Sequence, residues 1–180
     1  GAQRLKDRDE ALFMRARMLE RAERWTEAKA AYVDLIRVSP DGPRTARAAY
    51  DAATLDIEYG DAERGWEALR QAISRYPDHG SARRALELWS EHTAGSKGEP
   101  ALRASLEGWT DLRSTELRHR LRYERARSLE REGDVAAAAA AYLETARLRP
   151  DPRGGLAGGA DWPAARLARA LGDGPLDVVL

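Results

Sequence analysis

The stretch Leu121–Pro150, LRYERARSLEREGDVAAAAAAYLETARLRP, contains a complete helix–turn–helix pattern. An amphipathic run ends at Gly133-Asp134, and a second, alanine-rich run ends at Pro150. Glycine readily adopts the left-handed conformation that ends a helix, and aspartate caps the helix that follows. Proline stops a helix because it has no backbone N–H group. The stretch therefore predicts two helices that form a hairpin with its turn at Gly133.

The same spacing occurs twice more, counted from Gly60 and from Glu23. Each turn position has a small residue seven before it, a small residue five after it, a bulky residue nine after it and a proline seventeen after it. In the same order these residues are Ala16, Ala53 and Ala126; Ala28, Gly65 and Ala138; Tyr32, Leu69 and Tyr142; and Pro40, Pro77 and Pro150. Small residues on facing helices let two helices cross closely. Repeats of this length predict stacked helix pairs.

The distances between the prolines set the number of predicted pairs. Pro40 and Pro77 are 37 residues apart, and Pro77 and Pro150 are 73 apart, so one further pair that lacks the full pattern is expected between them. The predicted repeats span about 8–42, 43–78, 79–113 and 114–150, followed by a C-terminal helix at about 161–171.

Capping and turn residues predict where several helices begin and end. We expect Asp7 or Asp9 to cap the first helix and Thr26 to cap the second. In the third pair, a loop at 94–98 should separate a helix that ends at Thr93 from one that spans Pro100–Leu112.

This pattern resembles the tetratricopeptide repeat family. The resemblance rests on the recurring positions described above and covers about residues 10–77 and 114–150. It implies an all-α, right-handed α-solenoid of about four hairpins plus the C-terminal helix, forming one repeat domain over residues 1–180. It also implies a non-enzymatic scaffold or adaptor that binds a protein or peptide partner. Glu23 departs from the family pattern, because it stands where the family usually has the turn glycine.

Composition and motifs argue against several other kinds of function. The 30 basic residues balance the 30 acidic ones, which gives no support to nucleic acid as a partner. The chain has no cysteine, and its three histidines lack the spacing of metal ligands. No apolar run reaches the about 20 residues of a membrane span, and no catalytic motif is present. We therefore expect no enzyme activity, no metal or other cofactor and no insertion into a membrane.

The candidate binding residues lie on the first helix of each pair, which usually forms the inner wall of a superhelix in this family. Ten residues before the turn positions stand Phe13, Tyr50 and Tyr123, and the charged residues beside them are Arg17, Glu20, Arg21, Arg127 and Arg131. Aromatic rings flanked by arginine and glutamate would suit a bound peptide. Alternatively, the rings pack between neighbouring repeats and the charges pair with one another. The sequence leaves both interpretations open.

The linkers suggest where the protein works. The phrases SPDGPRTARAAY at 39–50 and YPDHGSARRAL at 76–86 resemble repeat linkers of bacterial envelope lipoproteins, which implies the envelope or periplasm, with the cytoplasm as the alternative. We expect the chain to be part of a larger bacterial protein or assembly. An alternative function is the non-catalytic helical region of an envelope enzyme such as a soluble lytic transglycosylase. The sequence does not predict the partner's identity or the oligomeric state.

Overall fold

The computed structural model describes residues 2–109, 112 and 114–147. Every regular element within these residues is a helix, which confirms the all-α fold class. The helices are α1 (Ala2–Arg21), α2 (Trp25–Val38), α3 (Thr45–Tyr59), α4 (Ala62–Arg75), α5 (Ala82–Lys97), α6 (Glu99–Glu107), α7 (Thr115–Arg131) and α8 (Val135–Arg147). The predicted C-terminal helix at 161–171 lies outside the described residues.

The chain forms two compact units, Gly1–Trp89 and Ser90–Leu180, with the boundary inside α5. In the first unit α1 packs against α2, α2 against α3, and α3 against α4. In the second unit α7 packs against both α6 and α8. The three hairpins identified from the sequence are thus present. A single repeat domain over 1–180, with the boundaries given above, stays a prediction.

The small residues lie where the paired helices cross. Ala16 and Ala28 are completely buried in the first hairpin, as are Ala126 and Ala138 in the last one. In the middle hairpin, a Cβ atom added to Gly65 would lie 2.6 Å from the backbone nitrogen of Ile57. The backbones of α3 and α4 are therefore nearly in contact, and only hydrogen fits at position 65. This geometry confirms the predicted role of the small residues.

The turns use the predicted capping residues but differ in backbone conformation. Asp61 accepts a hydrogen bond from the backbone N–H of Arg64 at 3.1 Å, and Asp134 accepts one from Ala137 at 3.0 Å. Gly133 has the left-handed φ of 82°. Gly60 has a φ of −133°, outside the left-handed region, and its N–H donates to the carbonyl of Asp56 as in a helix. Glu23 adopts a left-handed φ of 57° without being glycine.

Two predicted N-caps are wrong. Helix α1 begins at Ala2, so Asp7 and Asp9 both lie inside it. The Asp9 side chain is fully buried and accepts a hydrogen bond from the backbone N–H of Arg44 at 3.1 Å. Asp9 therefore caps the start of α3 and not that of its own helix. Thr26 also lies inside a helix, because α2 already begins at Trp25.

The boundaries predicted in the third pair also need correction. Helix α5 continues to Lys97, through most of the segment predicted as a loop. Within it the Ser96 hydroxyl donates a hydrogen bond to the His92 carbonyl at 2.7 Å, so this residue fits a helix. The break comes at Gly98, which has a φ of 85°. The next helix carries Pro100 in its first turn, as predicted, but ends at Glu107 and not at Leu112.

Candidate functional site

The three predicted aromatic residues are buried in their own hairpins. Phe13 is 9% exposed, and Tyr50 and Tyr123 are each 4% exposed. The ring of Phe13 packs against that of Tyr32, with the ring centres 5.7 Å apart, and Tyr123 packs against Tyr142 at 5.8 Å. This burial favours the packing interpretation of the three rings. A direct role in binding stays a prediction.

Tyr50 has a different environment from the other two rings. Its hydroxyl donates to the backbone carbonyls of Ala72 and Tyr76, each at 3.3 Å, and its ring stacks on His79 with the ring centres 5.5 Å apart. Burial raises the pKa of the Tyr50 hydroxyl above its ordinary value. Tyr50 therefore fixes the end of α4 and the linker after it to α3.

Four of the five predicted charged residues are paired within their own units. On α1, Arg17 Nη1 lies 3.2 Å from Glu20 Oε2, and this carboxylate raises the pKa of Arg17. In the second unit Arg127 pairs with Glu124, and Arg131 donates to Glu99 at 2.9 Å. Arg21 is exposed. Charges that pair across or along helices add little energy at a surface, but they are not open to a ligand without rearrangement.

A hydrogen bond that the sequence analysis missed links two positions in the first hairpin and the same two positions in the last. The Tyr32 hydroxyl donates to Glu20 at 2.8 Å, and the Tyr142 hydroxyl donates to Glu130 at 2.6 Å. The corresponding residues of the middle hairpin are Ile57 and Leu69, which are both apolar. One of the two positions lies three residues before the turn position and the other lies nine after it. In each hairpin these positions are occupied either by a glutamate and a tyrosine or by two aliphatic residues. Reading the two positions together would have revealed the pairing.

Glu124 is a completely buried carboxylate in the second unit. Arg120 Nη2 lies 2.6 Å from Glu124 Oε1, and Arg127 Nη1 lies 3.5 Å from Oε2. Burial raises the pKa of Glu124, against the opposing effect of the two guanidinium groups. Because both partners are themselves mostly buried, this cluster holds α7 together and offers no open catalytic site.

An open groove lies between α2 and α4, with α3 as its floor. We call it the α2–α4 groove; its volume is about 640 Å³. Small side chains form the floor, namely those of Ala49, Ala52 and Ala53. On the α2 side Val33 is 49% exposed. Lys29 of α2 forms an ion pair with Asp56 of the α3 floor at 2.6 Å.

The sequence analysis did not identify this groove, because it placed the binding residues on the first helix of each pair. The signal that could have found it is the run of alanines on α3, continued by Ala68 and Ala72 of α4. Alanines at these spacings share one helix face, so they leave a depression wherever longer side chains surround them.

The described residues contain neither a candidate membrane span nor a candidate metal site. No helix there is both long and apolar enough to cross a membrane. No group of three or more histidine, aspartate and glutamate side chains in that part of the chain is arranged to hold a metal ion.

Comparison with known proteins gives one family assignment for part of the chain. No curated protein and no solved structure shows significant similarity to this chain. Residues 10–42, which contain most of α1 and all of α2, match the family model described as a tetratricopeptide repeat, so the resemblance predicted from the sequence is confirmed for the first hairpin.

Proposed function

We propose that this protein is a non-enzymatic protein–protein interaction module that holds a helical segment of its partner in the α2–α4 groove. The tetratricopeptide repeat in residues 10–42 indicates an interaction module. The observation that supports the proposed site is the groove itself, which has a volume of about 640 Å³ and a floor of alanine side chains.

The shape and chemistry of the groove favour a helix as the bound segment. Small floor residues permit the close approach that helix packing requires. The exposed Val33 and the half-buried Ile36 offer apolar contacts on the α2 side, while charged side chains such as Arg64 and Glu67 lie on the α4 side. An amphipathic helix meets both demands, because its apolar face can lie on the floor while its polar flanks face the charged edge.

A photoreactive phenylalanine derivative placed at position 33 tests the site in cells that express the protein. We expect it to cross-link a partner through an amphipathic helical segment, whereas the same group at Ala30 should not. Ala30 is the matched control because it is exposed on α2 but does not line the groove. Equal cross-linking from both positions would contradict the proposal.

Filling the groove tests the same proposal with purified components. Ala68→Trp places a large ring in the groove and should weaken binding of the cross-linked partner at least tenfold, while Ala30→Trp should leave affinity unchanged. Calorimetric titration measures both. Circular dichroism must show the same helix content for both variants, so that lost binding is not confused with lost structure.

We also propose the surface of α1 that carries Arg17, Glu20 and Arg21 as a second contact for the partner. Its support is the exposure of Arg21 beside the partly exposed pair of Arg17 and Glu20. Arg21→Glu should then weaken binding in a salt-dependent manner. Unchanged affinity would contradict the contact at α1 and leave the α2–α4 groove as the proposed site.

The envelope location and the role within a larger envelope enzyme rest on the Pro-Asp linkers alone. In both linkers the chain makes two successive turns: the N–H groups of Gly42 and Thr45 bond to Ser39 and Gly42, and those of His79 and Ala82 bond to Tyr76 and His79. We propose that these linkers belong to an envelope protein. Fractionation of cells with an antibody to the protein tests the location, and recovery only with cytosolic markers would exclude it.

A further inference from the structure

A row of exposed arginines borders a cleft between α6 and α7 in the second unit. Arg118, Arg122 and Arg125 are all exposed, and their spacing places them on one face of α7. Leu106, Trp109 and Leu121 line the same cleft, which we call the α6–α7 cleft. The proposed function of the α2–α4 groove does not use this surface.

The size of the cleft limits what can occupy it. Its volume is about 220 Å³. Small-molecule pockets usually enclose about 300–1,000 Å³, so this cleft is too small for a typical cofactor or drug-sized ligand. Leu106 and Leu121 are buried beneath it, and Trp109 is half-buried beside it. An apolar floor of this extent suits one bulky side chain of a bound peptide.

The charges around the cleft favour an acidic ligand. Among the described residues that line the cleft, three carry a guanidinium group and one, Glu107, carries a carboxylate. Glu107 is exposed and forms an ion pair with Arg125 at 3.6 Å, so it offsets the charge of that arginine and not those of Arg118 and Arg122. Arg118 donates a hydrogen bond to the hydroxyl of Thr115, which carries no charge. The cleft therefore has an excess of positive charge.

We propose that the α6–α7 cleft binds an acidic segment of a partner protein. One bulky apolar side chain of that segment fills the cleft, and aspartate or glutamate residues on either side of it bind Arg118 and Arg122. Guanidinium groups recognise carboxylates with two parallel hydrogen bonds, which gives geometric selectivity as well as attraction. A nucleic acid is the less favoured ligand, because the whole chain is electrically neutral and the apolar floor offers nothing to a phosphate backbone.

Selection from a phage-displayed library of random 12-residue peptides tests the proposal on the intact chain. We expect enrichment of peptides that carry a leucine, phenylalanine or tryptophan between acidic residues. A synthetic peptide of the selected sequence is then titrated by fluorescence anisotropy. Replacing its apolar residue by alanine should weaken binding at least tenfold, and raising the salt concentration should weaken it further.

Charge reversal on the protein identifies the site. The double variant Arg118→Glu/Arg122→Glu should reduce affinity at least tenfold, whereas Arg8→Glu/Arg15→Glu should leave it within twofold. The control pair is exposed on α1, makes the same change in net charge and does not line the cleft.

Four outcomes would overturn the proposal. The first is a library that yields no acidic consensus, and the second is equal loss of affinity in the two double variants. The third is a 20-nucleotide oligo(dT) that binds more tightly than the peptide and loses affinity in Arg118→Glu/Arg122→Glu, which would assign the surface to nucleic acid. The fourth is a peptide whose binding is lost in Ala68→Trp but retained in Arg118→Glu/Arg122→Glu. That result would support the α2–α4 groove as its binding site and overturn only the proposal for the α6–α7 cleft.

Discussion

At the scale of single residues, Glu23 carries backbone strain that glycine would relieve. Its φ of 57° lies in the left-handed region, which costs a residue with a Cβ atom roughly 1–2 kcal/mol. The side chain of Glu23 is exposed. Glu23→Gly should therefore raise the free energy of unfolding by about 0.5–1 kcal/mol, after the entropy that glycine loses on folding is subtracted. Urea unfolding measures it, and a loss of stability would contradict the strain.

Gly133 offers the reverse experiment at the corresponding turn. It has a φ of 82°, and a Cβ atom there would meet nothing within 4 Å, so only backbone conformation opposes a side chain. Gly133→Ala should lower the free energy of unfolding by about 1 kcal/mol. Gly80→Ala is the matched control, because position 80 is equally open and does not have a left-handed φ; it should have little effect.

Asp9 shows why some capping residues can be predicted from sequence and others cannot. Asp61 and Asp134 cap helices through N–H groups three residues away, so the local pattern reveals them. The donor to Asp9 is the N–H of Arg44, which lies 35 residues further along the chain. That contact exists only after α1 and α3 have packed together. A local reading of the sequence therefore assigns Asp9 to the wrong helix.

Removing the Asp9 carboxylate should destabilise the first unit. Asp9→Ala takes away the acceptor of the partly buried Arg44 N–H group and should cost about 1–2 kcal/mol, as lost helix caps do. Asp9→Asn keeps one acceptor oxygen and should cost less. Hydrogen exchange of the α3 amides measures local opening. Equal exchange in the wild type and Asp9→Ala would show that the cap contributes nothing.

At the scale of helices, the backbones of α3 and α4 approach each other closely at Gly65. A Cβ atom at position 65 would lie 2.6 Å from the nitrogen of Ile57 and 3.0 Å from the carbonyl oxygen of Ala53, and backbone atoms cannot move aside easily. Gly65→Ala should lower the free energy of unfolding by about 1–3 kcal/mol, as overpacking does. Thermal unfolding measures the change. A shift no larger than that of Gly80→Ala would mean that the helices can move apart freely.

A substitution of Tyr50 distinguishes a packing role from a role in peptide binding. Because Tyr50 is 4% exposed and bonds to the carbonyls of Ala72 and Tyr76, we expect Tyr50→Ala to cost about 3–5 kcal/mol of stability. A residue that only contacts a ligand would leave the melting temperature unchanged and weaken binding instead. Measuring melting temperature and partner affinity on the same variant separates the two roles. Unchanged melting with lost binding would support a direct role of Tyr50 in peptide binding.

At the scale of the whole chain, periodic spacing predicted the all-α fold and the three regular hairpins, because small residues must recur wherever paired helices cross closely. Spacing failed where the pattern is weak, as at α5 and α6. These two helices are separated by Gly98 alone and not by the whole predicted loop at 94–98. The candidate site was harder to predict. Periodicity places Tyr50 on a helix face but does not say whether another element covers that face, and burial comes from the linker and α4.

The two compact units should respond separately to local destabilisation. In stacked repeats each element contacts mainly its neighbours, so stability is distributed along the chain. Gly65→Ala should therefore increase hydrogen exchange in α3 and α4 more than in α7 and α8. Ala138→Leu overpacks a completely buried position of the last hairpin and should do the opposite. Mass spectrometry of peptic fragments resolves the two regions. If both variants increased exchange equally throughout the described helices, the chain would unfold as one cooperative body, and the division at Trp89 would have no energetic meaning.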